Sequence, residues 1–218
     1  MPRLLKVILG VLLLPFCIGA VGAIARVLSV SGHATDFWVA AAGGAACWLA
    51  VYAFLPRPMW LYVFGHELTH ALWTWLFGGR VKKFKVKSTG GYVVITKSNS
   101  LIALAPYFFP VYVALVVLIY LLGHLIWGWR EWAAWFHLLL GAAYAFHITL
   151  TSFALQTEQS DITSQGYFFS AVVITLGNLL VLLLGLPVLV GVGIGTAMSS
   201  WMRETAAVFS RLASLIGG

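Results

Sequence analysis

His66, Glu67 and His70 stand together in one pentapeptide, His66-Glu67-Leu68-Thr69-His70, inside an otherwise apolar stretch. On a helix, residues four apart lie one turn apart on the same face, so two imidazoles at that spacing can grip one metal ion. The glutamate beside them can reach a water on that ion. Zinc draws the pKa of such a water toward neutrality, and the carboxylate then serves as general base and proton shuttle. The expected chemistry is metal-assisted hydrolysis, with Glu67 as catalytic base and His66 and His70 as zinc ligands. The plainer alternative pairs Glu67 with another buried polar group and bonds the histidines to helix carbonyls.

The medium around this motif follows from composition. Of 218 residues, 61% are hydrophobic and 9% charged, and the mean hydropathy is +0.97. Soluble domains carry roughly a quarter charged residues, so this chain must take lipid as its main solvent. A carboxylate in the middle of a membrane span costs roughly 2.5–3.5 kcal/mol, which favours a functional Glu67. The net charge of +7 is spread in short basic pieces between apolar runs. That arrangement sets topology and attracts anionic lipid head groups, so the lipid bilayer is an expected partner and nucleic acid is not. Cys17 and Cys47 each sit in an apolar run, match no metal-ribbon spacing, and are expected to be small core residues.

Six segments are long and apolar enough to span: about 4–30, 37–55, 59–77, 101–127, 132–155 and 167–194. The fold class is therefore an all-α membrane protein of about six transmembrane helices, forming a single polytopic domain over 1–218 with the first helix retained. Pro56-Arg57-Pro58 makes a tight turn before the third span, which holds the motif. Pro106 and Pro110 should bend the fourth. Between these spans lies a polar insert, about 80–97. It opens with the helix stop Gly78-Gly79-Arg80, alternates lysine with apolar residues over 81–87, turns at Ser88-Thr89-Gly90-Gly91, and is β-rich again over 92–96. This predicts a small membrane-associated β-hairpin between helices three and four. A tail over about 199–216, with Phe209, Leu212 and Leu215 at helical spacing, predicts an interfacial amphipathic helix. Six spans leave the basic residues almost evenly divided, and the dense insert tips its own side toward the cytoplasm. His33, His124 and His137 fall near span ends, where packing explains them.

Phe64-Gly65-His66-Glu67-Leu68-Thr69-His70-Ala71 in a span, the Gly78-Gly79-Arg80-Val81 exit, the hairpin insert and a following span with Leu104-Ala105-Pro106 together resemble the site-2 protease family of intramembrane zinc metalloproteases. The resemblance implies bound Zn2+, a water nucleophile, hydrolysis of a peptide bond within the bilayer, a membrane-protein or peptide substrate, and a cytoplasmic insert. It also implies a third metal ligand, an aspartate near the cytosolic end of a later span. The chain has two aspartates, Asp36 and Asp161, and Asp161, after the fifth span, matches by residue type and order. The asparagine and prolines that flank that aspartate in the family are absent here. His147, about 12 Å inside the fifth span at 1.5 Å per residue, lies at the depth of the motif and is the alternative third ligand.

Overall fold

Proline and glycine set the ends of the helices that matter most. The computed structural model describes residues 2–87 and 90–216. Helices α1 (Arg3–Val30) and α2 (Thr35–Phe54) lead to the turn at Pro56–Pro58, and α3 spans Met59–Leu76. The Pro58 carbonyl accepts the amide protons of Leu61 and Tyr62, opening α3. Its other end closes in a paired-glycine motif. Gly78, at φ +69°, donates to Trp75, and Gly79 donates to Thr74 at 2.8 Å. Those bonds satisfy carbonyls that the finished helix leaves open.

Strands β1 (Val81–Lys87) and β2 (Gly90–Ile95) follow and pair antiparallel. Val81 faces Ile95 and Lys83 faces Val94, so Lys82 is an extra residue in a bulge. The bulge reconciles the adjacent lysines with the period-two alternation. Residues 88 and 89 of the expected turn lie outside the described residues. Helix α4 (Ser100–Leu104) runs into one 3-10 turn, Ala105–Tyr107, before α5 (Val111–Trp127). The limbs on either side of this break meet at 79°. Proline lacks the amide proton a helix needs, and Pro106 and Pro110 bracket the break. The remaining helices are α6 (Ala133–Ala154), α7 (Ser160–Gln165), α8 (Tyr167–Leu189) and α9 (Ile194–Ile216).

Among the described residues, four helices are long and apolar enough to cross a membrane, namely Arg3–His33, Thr35–Phe54, Ala133–Ala154 and Tyr167–Leu189. The bent pair of α4 and α5 makes a fifth if it is one span. Of the six expected spans, four or five are thus supported. The missing one is α3, whose apolarity is diluted by His66, Glu67, Thr69, His70 and Thr74. The residues that suggest chemistry are the ones that weaken the span.

The chain forms two compact units, Met1–Thr35 with Ser160–Gly218, and Asp36–Gln159. In the first, α9 is amphipathic, as the tail predicts, and its apolar side packs on α1. Phe16 meets the rings of Trp201 and Phe209 at 6.3 and 5.9 Å, and Arg26 pairs with Glu204. In the second, α2 and α6 approach backbone to backbone, because Gly44 lies against the Leu138 carbonyl and Gly141 against Ala41. Trp48 Nε1 donates to Thr149 Oγ1 at 2.8 Å across the same pair. Tyr62, Phe146 and Leu150 form a buried cluster that joins α3 to α6. Cys17 is buried as expected, whereas Cys47 is exposed, because most of α2 is a surface left for lipid.

Candidate metal centre

Helix α3 buries one side, and the motif is on it. Tyr62, Gly65, Glu67, Thr69, His70, Ala71 and Thr74 are its buried residues, and His66 is half-buried. The rings of His66 and His70 stand 4.9 Å apart, and a ring nitrogen of each lies within 4.8 Å of the other. His70 Nδ1 sits 2.8 Å from the carbonyl oxygen of Ile102. A carbonyl can only accept, so Nδ1 carries the proton and Nε2 carries the lone pair. A bond of this kind orients metal-binding histidines and raises their basicity. The edge of Tyr107 meets His66 at 5.2 Å.

The partner carbonyl is held by local structure. Asn99 caps α4, its Oδ1 accepting the Ile102 amide proton at 2.8 Å. Ile102, Leu104 and Tyr107 are almost wholly buried. The break at Pro106 and Pro110 therefore lays a short buried helix along α3, where a straight span would have carried these residues past it. On the next helix, the Tyr112 hydroxyl donates to the Leu61 carbonyl at 2.6 Å. Gly65 makes room for that ring, since a Cβ there would lie 2.7 Å from Tyr112 Cε2. The sheet meets the motif at Gly91. A Cβ at Gly91 would lie 2.8 Å from Val63 Cγ1 and 2.9 Å from Glu67 Cγ. The start of β2 thus rests on the side chain expected to act as base.

His147 on α6 belongs to the same unit. It is 7% exposed, and with His66, Tyr62, Thr69 and Tyr112 it lines a cavity of about 20 Å³. That is room for about one water. Among the described residues His147 Nε2 has no hydrogen-bond partner, and a buried polar atom in that state calls for a water, an ion or a ligand. Asp161 is in the other unit, half-buried in the first turn of α7. Two imidazoles one turn apart, one of them oriented by a backbone carbonyl, beside a carboxylate, make a donor set suited to zinc.

Residues 38–140 match the family model described as peptidase M50B-like. The resemblance to the site-2 protease family is therefore shown. The match covers just under half of the chain, from α2 into α6, and takes in His66, Glu67, His70, both strands and the broken helix. His147 and Asp161 lie beyond it. No curated protein and no solved structure matches the chain. The apolar helices and this likeness to a membrane peptidase family make it an integral membrane protein.

Sequence reasoning passes over Ile102, Tyr107, Tyr112 and Gly91. Ile102 acts through its backbone, which no side-chain pattern announces. Its one legible signal is Asn99, a capping residue three positions upstream. The other histidines pack as expected: His33 Nδ1 donates to the Val30 carbonyl, His124 stacks on Tyr120, and His137 meets Phe37 at 5.2 Å.

Proposed function

We propose that the chain is an intramembrane zinc metalloprotease that hydrolyses a peptide bond in or near a transmembrane segment of another membrane protein. One observation carries the reading: His66 and His70 share a face of α3, and the Ile102 carbonyl holds His70 Nδ1 at 2.8 Å with Glu67 alongside. His66 and His70 hold the ion by ring nitrogens. Asp161 is the third ligand, on residue type and order in the chain, and His147 is its rival, on its orphaned Nε2. Zinc, when bound, supplies Lewis acidity and makes water a usable nucleophile at neutral pH. Glu67 takes the proton from the attacking water and passes it to the leaving amide nitrogen. An unwound substrate segment adds as a further strand to an edge of the sheet, which brings its backbone toward Glu67 through the contact at Gly91. The partners are thus a membrane-protein or peptide substrate and the lipid bilayer, with no role for nucleic acid. The insert, 80–97, lies on the cytoplasmic side, supported by its density of lysines.

The test is metal content and peptidase activity of detergent-purified protein. Wild type is compared with Glu67→Gln, His70→Ala, Asp161→Ala and His147→Ala. About one zinc per chain, kept in Glu67→Gln and lost in His70→Ala and in one third-ligand variant, supports the centre and identifies that ligand. No stoichiometric metal in wild type, without chelators, would sink the enzyme reading. A second reading is a non-proteolytic metal-binding membrane protein, either a transporter or a regulatory relic of the fold. It is favoured by the absence of the asparagine and prolines that flank the third-ligand aspartate in the family it resembles. Zinc retained with no hydrolysis of any peptide would support it.

A further inference from the structure

The geometry points to the outer face of the β1–β2 sheet as a docking surface for anionic phospholipid head groups, held by Lys83, Lys85 and Lys87. Side chains alternate between the two faces of a strand, and the register sorts them here. Lys83, Lys85 and Lys87 oppose Val94, Tyr92 and Gly90, so all six positions share one face. The other face carries Phe84, Val86, Gly91 and Val93 and rests on α3, with Phe84 edge-on to Phe64 at 5.8 Å and Gly91 against Val63. The three lysines are exposed and in a row, with Tyr92 and Val94 half-open beside them.

Among the described residues their charge has no acidic partner. No aspartate or glutamate occurs between Glu67 and Glu131, while residues 80–97 contain Arg80, Lys82, Lys83, Lys85, Lys87 and Lys97. Lys97 is engaged otherwise, its Nζ lying 3.4 Å from the Phe77 carbonyl at the end of α3. Among the described residues, none of the three lysines of the row takes part in an ion pair. Charge complementarity therefore calls for an anion, and the surroundings say which. The chain enters and leaves the sheet at one end, beside exposed apolar groups, Trp75 and Leu76 of α3 and Leu101 of α4. Such side chains belong in hydrocarbon, so the long lysine side chains near them reach for the membrane surface. There lysines extend toward phosphates and a tyrosine occupies the interface. A flat, two-stranded face with a periodic row of ammonium groups suits a layer of phosphates better than it suits one acidic peptide, for which it offers no groove.

Native mass spectrometry of the full chain in neutral detergent, with phosphatidylglycerol or phosphatidylcholine added, tests this without any need for catalysis. Wild type should retain phosphatidylglycerol in preference to phosphatidylcholine, and the preference should shrink as salt is raised. Replacing the three lysines together, Lys83→Gln, Lys85→Gln and Lys87→Gln, should reduce it by about fivefold per lysine. A control lacking three other cations, Arg3→Gln, Arg203→Gln and Arg211→Gln, should keep it. Equal retention of the two lipids by wild type, or an undiminished preference in the lysine variant, would overturn the proposal. So would tight binding of poly-glutamate without lipid preference, which would assign the face to an acidic segment of a protein. The salt titration of wild type stands even if the lysine variant does not fold.

Discussion

Glu67 is 8% exposed, on the buried side of α3. A carboxylate kept in such a place does something there. On the proposed reading, Glu67→Gln removes the proton carrier while leaving both imidazoles intact. Peptide turnover should fall by about 10²-fold or more with zinc content unchanged, measured by elemental analysis alongside the assay. Gly91 offers a second test at the same carboxylate. In Gly91→Ala the new methyl would sit 2.9 Å from Glu67 Cγ and 2.8 Å from Val63 Cγ1. Something must shift, at about 1–3 kcal/mol of stability. Because Glu67 is among the groups that must give way, with Val63 and the Lys85 carbonyl, activity should fall further than the drop in Tm accounts for, and zinc should stay bound.

Between the residue and the molecule stand elements that hold the site without touching substrate. The cap at Asn99 is the clearest. It fixes the first turn of α4, and that turn carries the Ile102 carbonyl to His70. Asn99→Ala should cost about 1 kcal/mol as a lost cap. Its larger effect should be on metal: loosening an outer-shell partner lowers zinc affinity by roughly 10-fold, which a competitive chelator titration would read. A cap with no such link would change Tm alone. The glycine stop of α3 is a purely structural counterpart. Gly78→Ala forces a side chain into the left-handed region at φ +69°, at about 1 kcal/mol, and should leave chelator-titrated affinity near wild type.

At the scale of the whole molecule, each compact unit is sewn together by backbone approach at glycine. In one, Gly44 and Gly141 bring α2 and α6 together, and in the other Gly19 lies against Thr205, where a Cβ would stand 2.7 Å from the backbone nitrogen. Backbone cannot give way as a flexible side chain does. Without a hydrophobic force between helices in lipid, close packing of this kind is a main source of association. Gly141→Leu should therefore destabilise its unit by several kcal/mol, seen as a lower melting temperature and aggregation after detergent extraction. Placing the insert relative to the membrane needs a different measurement. Lys97→Cys, in a background of Cys17→Ala and Cys47→Ala, should react with a membrane-impermeant maleimide from the cytoplasmic face alone.

Hydropathy and motif spacing by themselves determined that this is a helical membrane protein and that His66 and His70 share a face, with Glu67 beside them. Both properties are local. Apolarity sums over about 20 consecutive residues, and a spacing of four is a helical turn. The alternation of lysine with apolar residues likewise announced two strands, though not the bulge at Lys82, which depends on the partner strand. Tertiary structure decided the rest. The prolines announced a bend, but only packing laid the broken helix along α3 and put the Ile102 carbonyl on His70, 32 positions away. Backbone carbonyls are the same in every residue, so a sequence cannot mark the one that orients a ligand; that is settled only when two distant segments pack.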